Sequence, residues 1–98
     1  MEELTITDMP DRSRFEATQD GELVGVLEYH RKDGLIFYDH AETAIPFRGR
    51  GIAGRIVEIA LIAAREERLR IVPRCPFVAD WVAAHPEFQP LVASDATR

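Results

Sequence analysis

Three glycines lie within six residues of this 98-residue sequence, at positions 49, 51 and 54. They separate two halves with different patterns of apolar residues. Before them, up to Ile45, apolar and polar residues alternate in the manner of β-strands. After them, from Gly51 to Glu67, apolar residues recur with a period of about 3.6, which predicts a helix with a wide buried stripe. Glycine lets the backbone turn sharply and lets a ligand approach it closely. The stretch therefore predicts a strand–loop–helix unit around which the rest of the chain folds.

Shorter patterns predict the remaining elements. Pro76 suits the first turn of a second helix, and Pro86 ends it. A chain of 98 residues leaves no room for two cores, so we expect one domain over residues 1–98. Strands are predicted at 15–18, 23–30, 35–45 and 69–72 and helices at 51–67 and 76–85, between an irregular lead-in at 1–13 and a loose tail at 89–98. This β-β-β-α-β-α order predicts an α+β fold, with helices packed on a mixed, mostly antiparallel sheet.

The turn after the second strand sets the register of the sheet. A two-residue loop at Asp33-Gly34 would place Glu28 opposite Asp39. Like charges that face each other across strands are unfavourable. We therefore predict a three-residue loop, Lys32-Asp33-Gly34, with Gly34 in the left-handed conformation.

Charge is distributed unevenly along the chain. The net charge is −5, yet the segment from Arg48 to Arg74 holds seven arginines against three acidic residues. The remainder of the chain is strongly acidic, which disfavours nucleic acid as a partner. The arginine segment contains no aromatic residue that could stack on bases. The pattern indicates a site for a compact anion.

Several features favour a cytoplasmic protein without a membrane partner. The longest apolar run, Ile59 to Ala64, has six residues, far fewer than the roughly 20 that span a bilayer. The first residues are acidic and lack the apolar centre of a signal peptide. The single cysteine, Cys75, excludes an internal disulfide and suits a reducing compartment. No pair of histidines or cysteines has a metal-ligand spacing, so no metal is expected.

The glycine loop has the physical requirements of a pyrophosphate site. The first turn of a helix presents unpaired N–H groups at the positive end of the helix dipole. Arg48 and Arg50 add positive charge beside it. The loop is neither a Walker A motif nor a G-x-G-x-x-G motif, because the residues that define those motifs are missing. The alternative is an ordinary strand-to-helix turn, with glycines for geometry and arginines for solubility.

Residues in and around the loop resemble a known signature. Arg48-x-x-Gly51-x-Ala53 is similar to the Q/R-x-x-G-x-G/A motif of the GNAT superfamily of N-acetyltransferases. Further matching residues lie around it, in order: His40-x-Glu42, Phe47, Ala64-Arg65, Pro73-x-Cys75-x-Phe77-Val78 and His85-Pro86-Glu87-Phe88. Together they resemble the short YjdJ-type branch of that superfamily, whose members are about as long as this chain. The resemblance covers Tyr29 to Val92.

The resemblance implies a minimal GNAT fold and transfer of an acetyl group from acetyl-CoA to an amine of a small molecule or protein. The third strand and the short strand would diverge, with pantetheine between them. The implied cofactor-binding residues are Arg48, Gly49, Arg50, Gly51, Ile52, Ala53, Gly54 and Arg55. The N-terminal helical pair and last strands of longer GNAT enzymes have no counterpart. A second copy could cover the resulting sheet edge, so the chain is expected to be a monomer or a homodimer.

Three side chains are candidates for catalysis. Cys75 precedes the second helix, whose positive end favours a thiolate, so Cys75 either takes part in acetyl transfer or fills space in the core. His40 and Glu42 lie two residues apart on one strand and share a face. Such a pair is able to take the proton that an attacking amine loses, or it is a structural histidine beside a solvated charge.

Two further functional classes remain open from the residues. A CoA or acyl-CoA binding module would keep the loop and need no catalytic side chain. A nucleic-acid or partner-binding domain would use the arginine segment through its charge. The identity of the acceptor amine does not follow from the sequence.

Overall fold

The computed structural model describes residues 3–93. The strands are β1 Leu4–Met9, β2 Arg14–Gln19, β3 Glu22–Lys32, β4 Leu35–Thr43 and β5 Arg70–Pro73, and the helices are α1 Ile52–Glu66 and α2 Pro76–Ala84. Short 3-10 turns cover Pro10–Arg12, Ile45–Phe47 and Pro86–Leu91. One sheet has the order β1-β2-β3-β4-β5, in which only β4 and β5 are parallel. The α+β class and the mixed, mostly antiparallel sheet are confirmed.

The predicted lead-in at residues 1–13 is wrong where a strand occupies Leu4–Met9. This strand pairs with β2 along its whole length, so the element order is β-β-β-β-α-β-α. Leu4 and Ile6 are partly buried against the core, whereas Thr5 and Thr7 are exposed. Leu4-Thr5-Ile6-Thr7 alternates apolar and polar residues as β2 does, so the sequence carries a local strand signal that the prediction of an irregular lead-in overlooks.

The predicted loose tail at 89–98 is also wrong in its first part. Val92 forms a parallel bridge with Ile71, and the Ala93 N–H donates to the Ile71 C=O at 2.9 Å. The Arg70 guanidinium donates to the Val92 C=O at 3.0 Å. These contacts place residues 91–93 beside β5. The last part of the predicted tail, residues 94–98, lies outside the described residues.

The β3–β4 hairpin has a two-residue loop, so the predicted three-residue loop is wrong. Lys32 pairs directly with Leu35, and Asp33 and Gly34 both have positive φ angles, 54° and 78°. The clash between like charges is avoided by a register shift on β4 instead. Glu28 pairs with His40 and Tyr29 pairs with Tyr38, which leaves Asp39 as the extra residue of a bulge.

This bulge decides which side chains of β4 face the core. Before it, Ile36 and Tyr38 are buried under the helices. After it, Ala41 and Thr43 are partly buried and His40 and Glu42 are exposed. Side chains in a strand alternate between the two faces, so one extra residue reverses the pattern. The bulge therefore holds the His40–Glu42 pair on the open face of the sheet.

The helices cover the other face and bury a single apolar cluster. Its largest fully buried members are Tyr38, Leu27, Ile36, Ile56, Leu61 and Ile71. The buried stripe of α1 predicted from its spacing is present, at Ile52, Ile56, Val57, Ala60, Leu61 and Ala64. Among residues 3–93, no helix combines the length and apolar character needed to cross a membrane.

Tyr29 makes the free energy of unfolding depend on pH in the alkaline range. Its hydroxyl donates to Asp8 Oδ1 at 2.5 Å, and burial followed by this hydrogen bond raises its pKa from 10.0 to about 12. The unfolded chain therefore releases this proton at a lower pH than the folded chain. We expect the free energy of unfolding to fall as pH rises from about 10 to about 12, and Tyr29→Phe to show a smaller fall. Denaturant titrations at several pH values measure this. An equal fall in both proteins would contradict the assignment.

Candidate functional site

The pairing between strands β4 and β5 ends halfway along β4. Their parallel pairing runs from Leu35 opposite Arg70 to Tyr38 opposite Pro73, where β5 ends. A last hydrogen bond joins the Cys75 N–H to the Tyr38 C=O at 2.9 Å. The edge of β4 from residue 39 to residue 43 has no β5 partner. β5 is thus paired along its whole length, so the predicted divergence of two paired strands is not seen, and the open edge of β4 arises because β5 is short.

A groove follows the free edge of β4 to the start of α1. It has two compartments, of about 470 Å³ and about 240 Å³, which share Thr43, Arg48, Ala53 and Phe77. The strand compartment adds His40, Ala41 and Glu42 to these shared residues. The loop compartment adds Phe47, Gly49, Gly51, Ile52 and Gly54. We call the two together the edge groove. It joins the glycine loop to the His40–Glu42 pair.

Backbone donors line the loop compartment. Gly49 and Gly51 have φ angles of 84° and 77°, which glycine adopts at little cost. The first backbone bond of α1 runs from the Arg55 N–H to the Gly51 C=O at 3.1 Å, so the N–H groups of residues 52–54 precede it. Within residues 3–93 no side chain caps this end, and the first turn contains no acidic residue. The loop therefore has the geometry that a bound anion requires.

The arginines of the loop differ in position. Arg48 lines both compartments, and its Nε donates to the Thr43 C=O at 3.0 Å. The guanidinium carbon of Arg50 lies 5.1 Å from the centre of the Phe47 ring, a cation–π contact. Arg55 is exposed on α1 and is not among the residues that line the edge groove. Arg48 is thus the arginine that borders the groove along its length.

His40 and Glu42 form a close pair in the strand compartment. His40 Nε2 lies 3.1 Å from Glu42 Oε1, and the two side chains are 54% and 64% exposed. An ionised carboxylate only accepts hydrogen bonds, so Nε2 carries the proton that points to Glu42. In a neutral ring this leaves the lone pair on Nδ1. The pair lines the strand compartment, and with a neutral ring it includes a proton acceptor.

Cys75 lies apart from the edge groove. The residue is 6% exposed and belongs to the apolar core. Its backbone N–H is used in the bond to Tyr38, and its side chain is not among those that line either compartment. Of the three catalytic candidates, the fold brings together His40 and Glu42 and leaves Cys75 in the core. This favours the structural role of the thiol.

Sequence reasoning missed two parts of the site. One is Phe77, which is 42% exposed and lines both compartments. In the sequence, Phe77 is an apolar residue next to Val78. Val78 is the one that lies in the buried stripe of α2, which leaves Phe77 outside it. The second missed part of the site is the backbone of β4 at its free edge. The Ala44 N–H donates to β3 at the Val24 C=O, so strand alternation turns the N–H and C=O of residues 41 and 43 toward the groove.

Comparison with known proteins places this geometry in a family. The model of the GCN5-related N-acetyltransferase family matches residues 14–91. The chain belongs to this family, and its fold is a minimal GNAT fold. No curated protein matches the sequence.

Two solved structures share the fold. The solution structure of a protein from Staphylococcus aureus, described as GCN5-like, has a TM-score of 0.73 at 20% identity over 95% of this chain and 91% of its own. The crystal structure of a ribosomal-protein-alanine N-acetyltransferase from Brucella melitensis has a TM-score of 0.58 at 22% identity, over 83% of this chain and 63% of its own. This chain therefore spans less than two thirds of the second protein. Family membership supports an acyltransferase activity.

A matched pair of glycine substitutions separates the role of the loop from its backbone strain. A Cβ at Gly51 or at Gly34 meets no atom within 4 Å, and the two φ angles are nearly equal, 77° and 78°. We expect Gly51→Ala and Gly34→Ala each to lower the free energy of unfolding by about 1–2 kcal/mol, because both force a side chain into the left-handed region. Of the two variants, only Gly51→Ala changes a residue that lines the edge groove. It should therefore weaken CoA binding by about tenfold, measured by calorimetry. Equal affinities in the two variants would contradict this assignment.

Proposed function

We propose that this protein is an acetyl-CoA-dependent N-acetyltransferase whose cofactor lies in the edge groove. One observation carries the proposal. Uncapped N–H groups at the start of α1 and the free edge of β4 lie at two compartments that share Thr43, Arg48, Ala53 and Phe77. The N–H groups at the start of α1 would donate hydrogen bonds to a diphosphate. The free edge of β4 would pair with the amide groups of a pantetheine arm.

The residues present fit acetyl-CoA. The amides of Gly49, Arg50, Gly51, Ala53 and Gly54, with that of Ile52 between them, would hold the diphosphate. Arg48 is placed to neutralise charge on the phosphates, and Arg55 lies one turn further on, outside the groove lining. Phe77 offers an apolar wall at the junction of the two compartments. When bound, acetyl-CoA supplies an activated thioester.

Catalysis would depend on position and on proton transfer. The outward N–H groups at residues 41 and 43 are placed to donate to an acyl oxygen, because strand alternation turns them to the groove. His40 Nδ1 takes one proton from the ammonium form of the acceptor, and Glu42 keeps the other ring nitrogen protonated. Bound acetyl-CoA would supply the acyl carbon to the amine nitrogen and a thiolate that leaves with the second amine proton.

A thiol-release assay tests the proposal. Purified protein with acetyl-CoA is screened against primary amines, and free CoA and the acetylated amine are both measured. We expect amine-dependent release of CoA in equal amount to acetylated product. Binding of CoA without amine-dependent release would instead favour a CoA-binding module.

The same assay decides the role of Cys75. A thiol packed in the core at 6% exposure contributes to stability and not to transfer. We expect Cys75→Ala to keep turnover within about threefold while lowering the free energy of unfolding by about 1 kcal/mol. Loss of turnover by more than about 100-fold in a folded variant would restore Cys75 as the acetyl-accepting group.

A further inference from the structure

A second pocket opens on the face of the sheet that the helices leave free. It has a volume of about 240 Å³ and is lined on its apolar side by Leu23, Val26 and Ala44. Its charged lining is Arg14, Glu28 and Glu42. We call it the outer pocket. Glu42 also lines the strand compartment of the edge groove, so the two sites meet at this carboxylate.

The geometry of the strands fixes the spacing of the two carboxylates. Val26 pairs with Glu42, and Glu28 pairs with His40, so all four side chains lie on the open face. Glu28 and Glu42 are diagonal neighbours, which places them roughly 7–8 Å apart, and Val26 and His40 occupy the other two corners. Val26 thus supplies an apolar side chain beside the line that joins the two carboxylates.

The positive charge of Arg14 is already engaged. Its Nε and Nη2 each lie 2.8 Å from Glu16 Oε2, and Arg12 Nη1 lies 2.9 Å from the same oxygen. The hydrogen bond from Arg14, followed by that from Arg12, lowers the pKa of Glu16, so its carboxylate stays ionised. Glu28 pairs with Arg14 in register but has no hydrogen bond or ion pair within residues 3–93. Glu28 therefore keeps an unpaired carboxylate at the outer pocket.

We propose that the outer pocket is the acceptor site and that it takes a short linear diamine. This rests on the proposed transferase function. One nitrogen reaches Glu42 and His40 at the junction with the edge groove, and the second, as an ammonium, pairs with Glu28. The methylene chain between them packs on Val26. The carboxylate spacing suits a chain of roughly three to five methylenes. Glu28 is thus a specificity-determining residue.

The test compares two amines of equal chain length. Putrescine carries ammonium groups at both ends of a four-carbon chain, and n-butylamine carries only one. With full-length protein and acetyl-CoA, we expect kcat/KM for putrescine to exceed that for n-butylamine by at least tenfold. Glu28→Gln should abolish this preference by lowering only the putrescine value. The matched control is Glu58→Gln, which removes the same charge from the exposed side of α1 and should leave both values unchanged.

A binding measurement separates this proposal from the transferase function. Methyl resonances of Leu23 and Val26 are followed by NMR as putrescine is added without acetyl-CoA. Shifts at these methyls that Glu28→Gln removes, with no acetyl transfer, would support the pocket and overturn the transferase function. Acetyl transfer that shows no preference for putrescine, or no change in Glu28→Gln, would overturn the pocket alone. If neither methyl shifts nor acetyl transfer is observed, both the outer pocket as acceptor site and the transferase function are overturned.

Discussion

Ala53→Asp is expected to lower the affinity for CoA by at least about 100-fold while the protein stays folded. Ala53 lies in the first turn of α1 and lines both compartments of the edge groove. A carboxylate there would lie a few ångströms from a bound diphosphate, and like charges at about 4 Å repel by about 4 kcal/mol at an effective dielectric constant of 20. Calorimetry with CoA measures the loss.

The same substitution should leave stability equal or slightly higher. An acidic residue in the first turn interacts favourably with the helix dipole, typically by about 0.3–1 kcal/mol. Ala53→Ser is the control for side-chain size, and it should bind CoA within about threefold of the natural protein. Unchanged CoA affinity in a folded Ala53→Asp protein would show that the diphosphate lies elsewhere.

His40→Ala is expected to lower kcat by about 100-fold or more, with little change in the KM for acetyl-CoA. General base catalysis by a positioned side chain contributes about 10²–10⁴-fold. His40 lies beside the free strand edge and not at the glycine loop, so cofactor binding should persist. The measurement is the rate of CoA release at saturating acetyl-CoA from about pH 6 to 9.

The chain contains its own control for this experiment. His30 also pairs with a carboxylate, since its Nδ1 lies 2.6 Å from Asp39 Oδ2, and its side chain is similarly exposed. It does not line the edge groove. We expect His30→Ala to keep kcat within about twofold. Equal losses in both variants, or none in His40→Ala over the whole pH range, would remove His40 as the base.

The glycine loop and the long helix were predictable because their signals are local. Gly49 and Gly51 adopt the left-handed conformation that glycine favours. The spacing of apolar residues from Ile52 to Ala64 gives one buried stripe. The predicted divergence of β4 and β5 came only through the family resemblance, and in the structure the open edge of β4 arises because β5 ends. A four-residue strand ending at Pro73 does not by itself indicate where its partner continues alone.

Features that depend on pairing between distant residues were not predictable. The bulge at Asp39 is defined by the joint register of β3 and β4. The bulge also decides that His40 and Glu42 lie on the open face, beside Glu28. The exposure of Phe77 follows from the side of α2 that packs in the core, which is the side of Val78 and Val82.

The most direct test of the account is an amide shift map of the protein titrated with CoA. We expect the largest shifts at Gly49, Gly51 and residues 52–54, followed by those at residues 41 and 43 on the free edge of β4. The Asp33-Gly34 turn, at the opposite end of β4, should not change. Shifts confined to other surfaces, or none at the start of α1 at saturating CoA, would contradict the edge groove as the cofactor site.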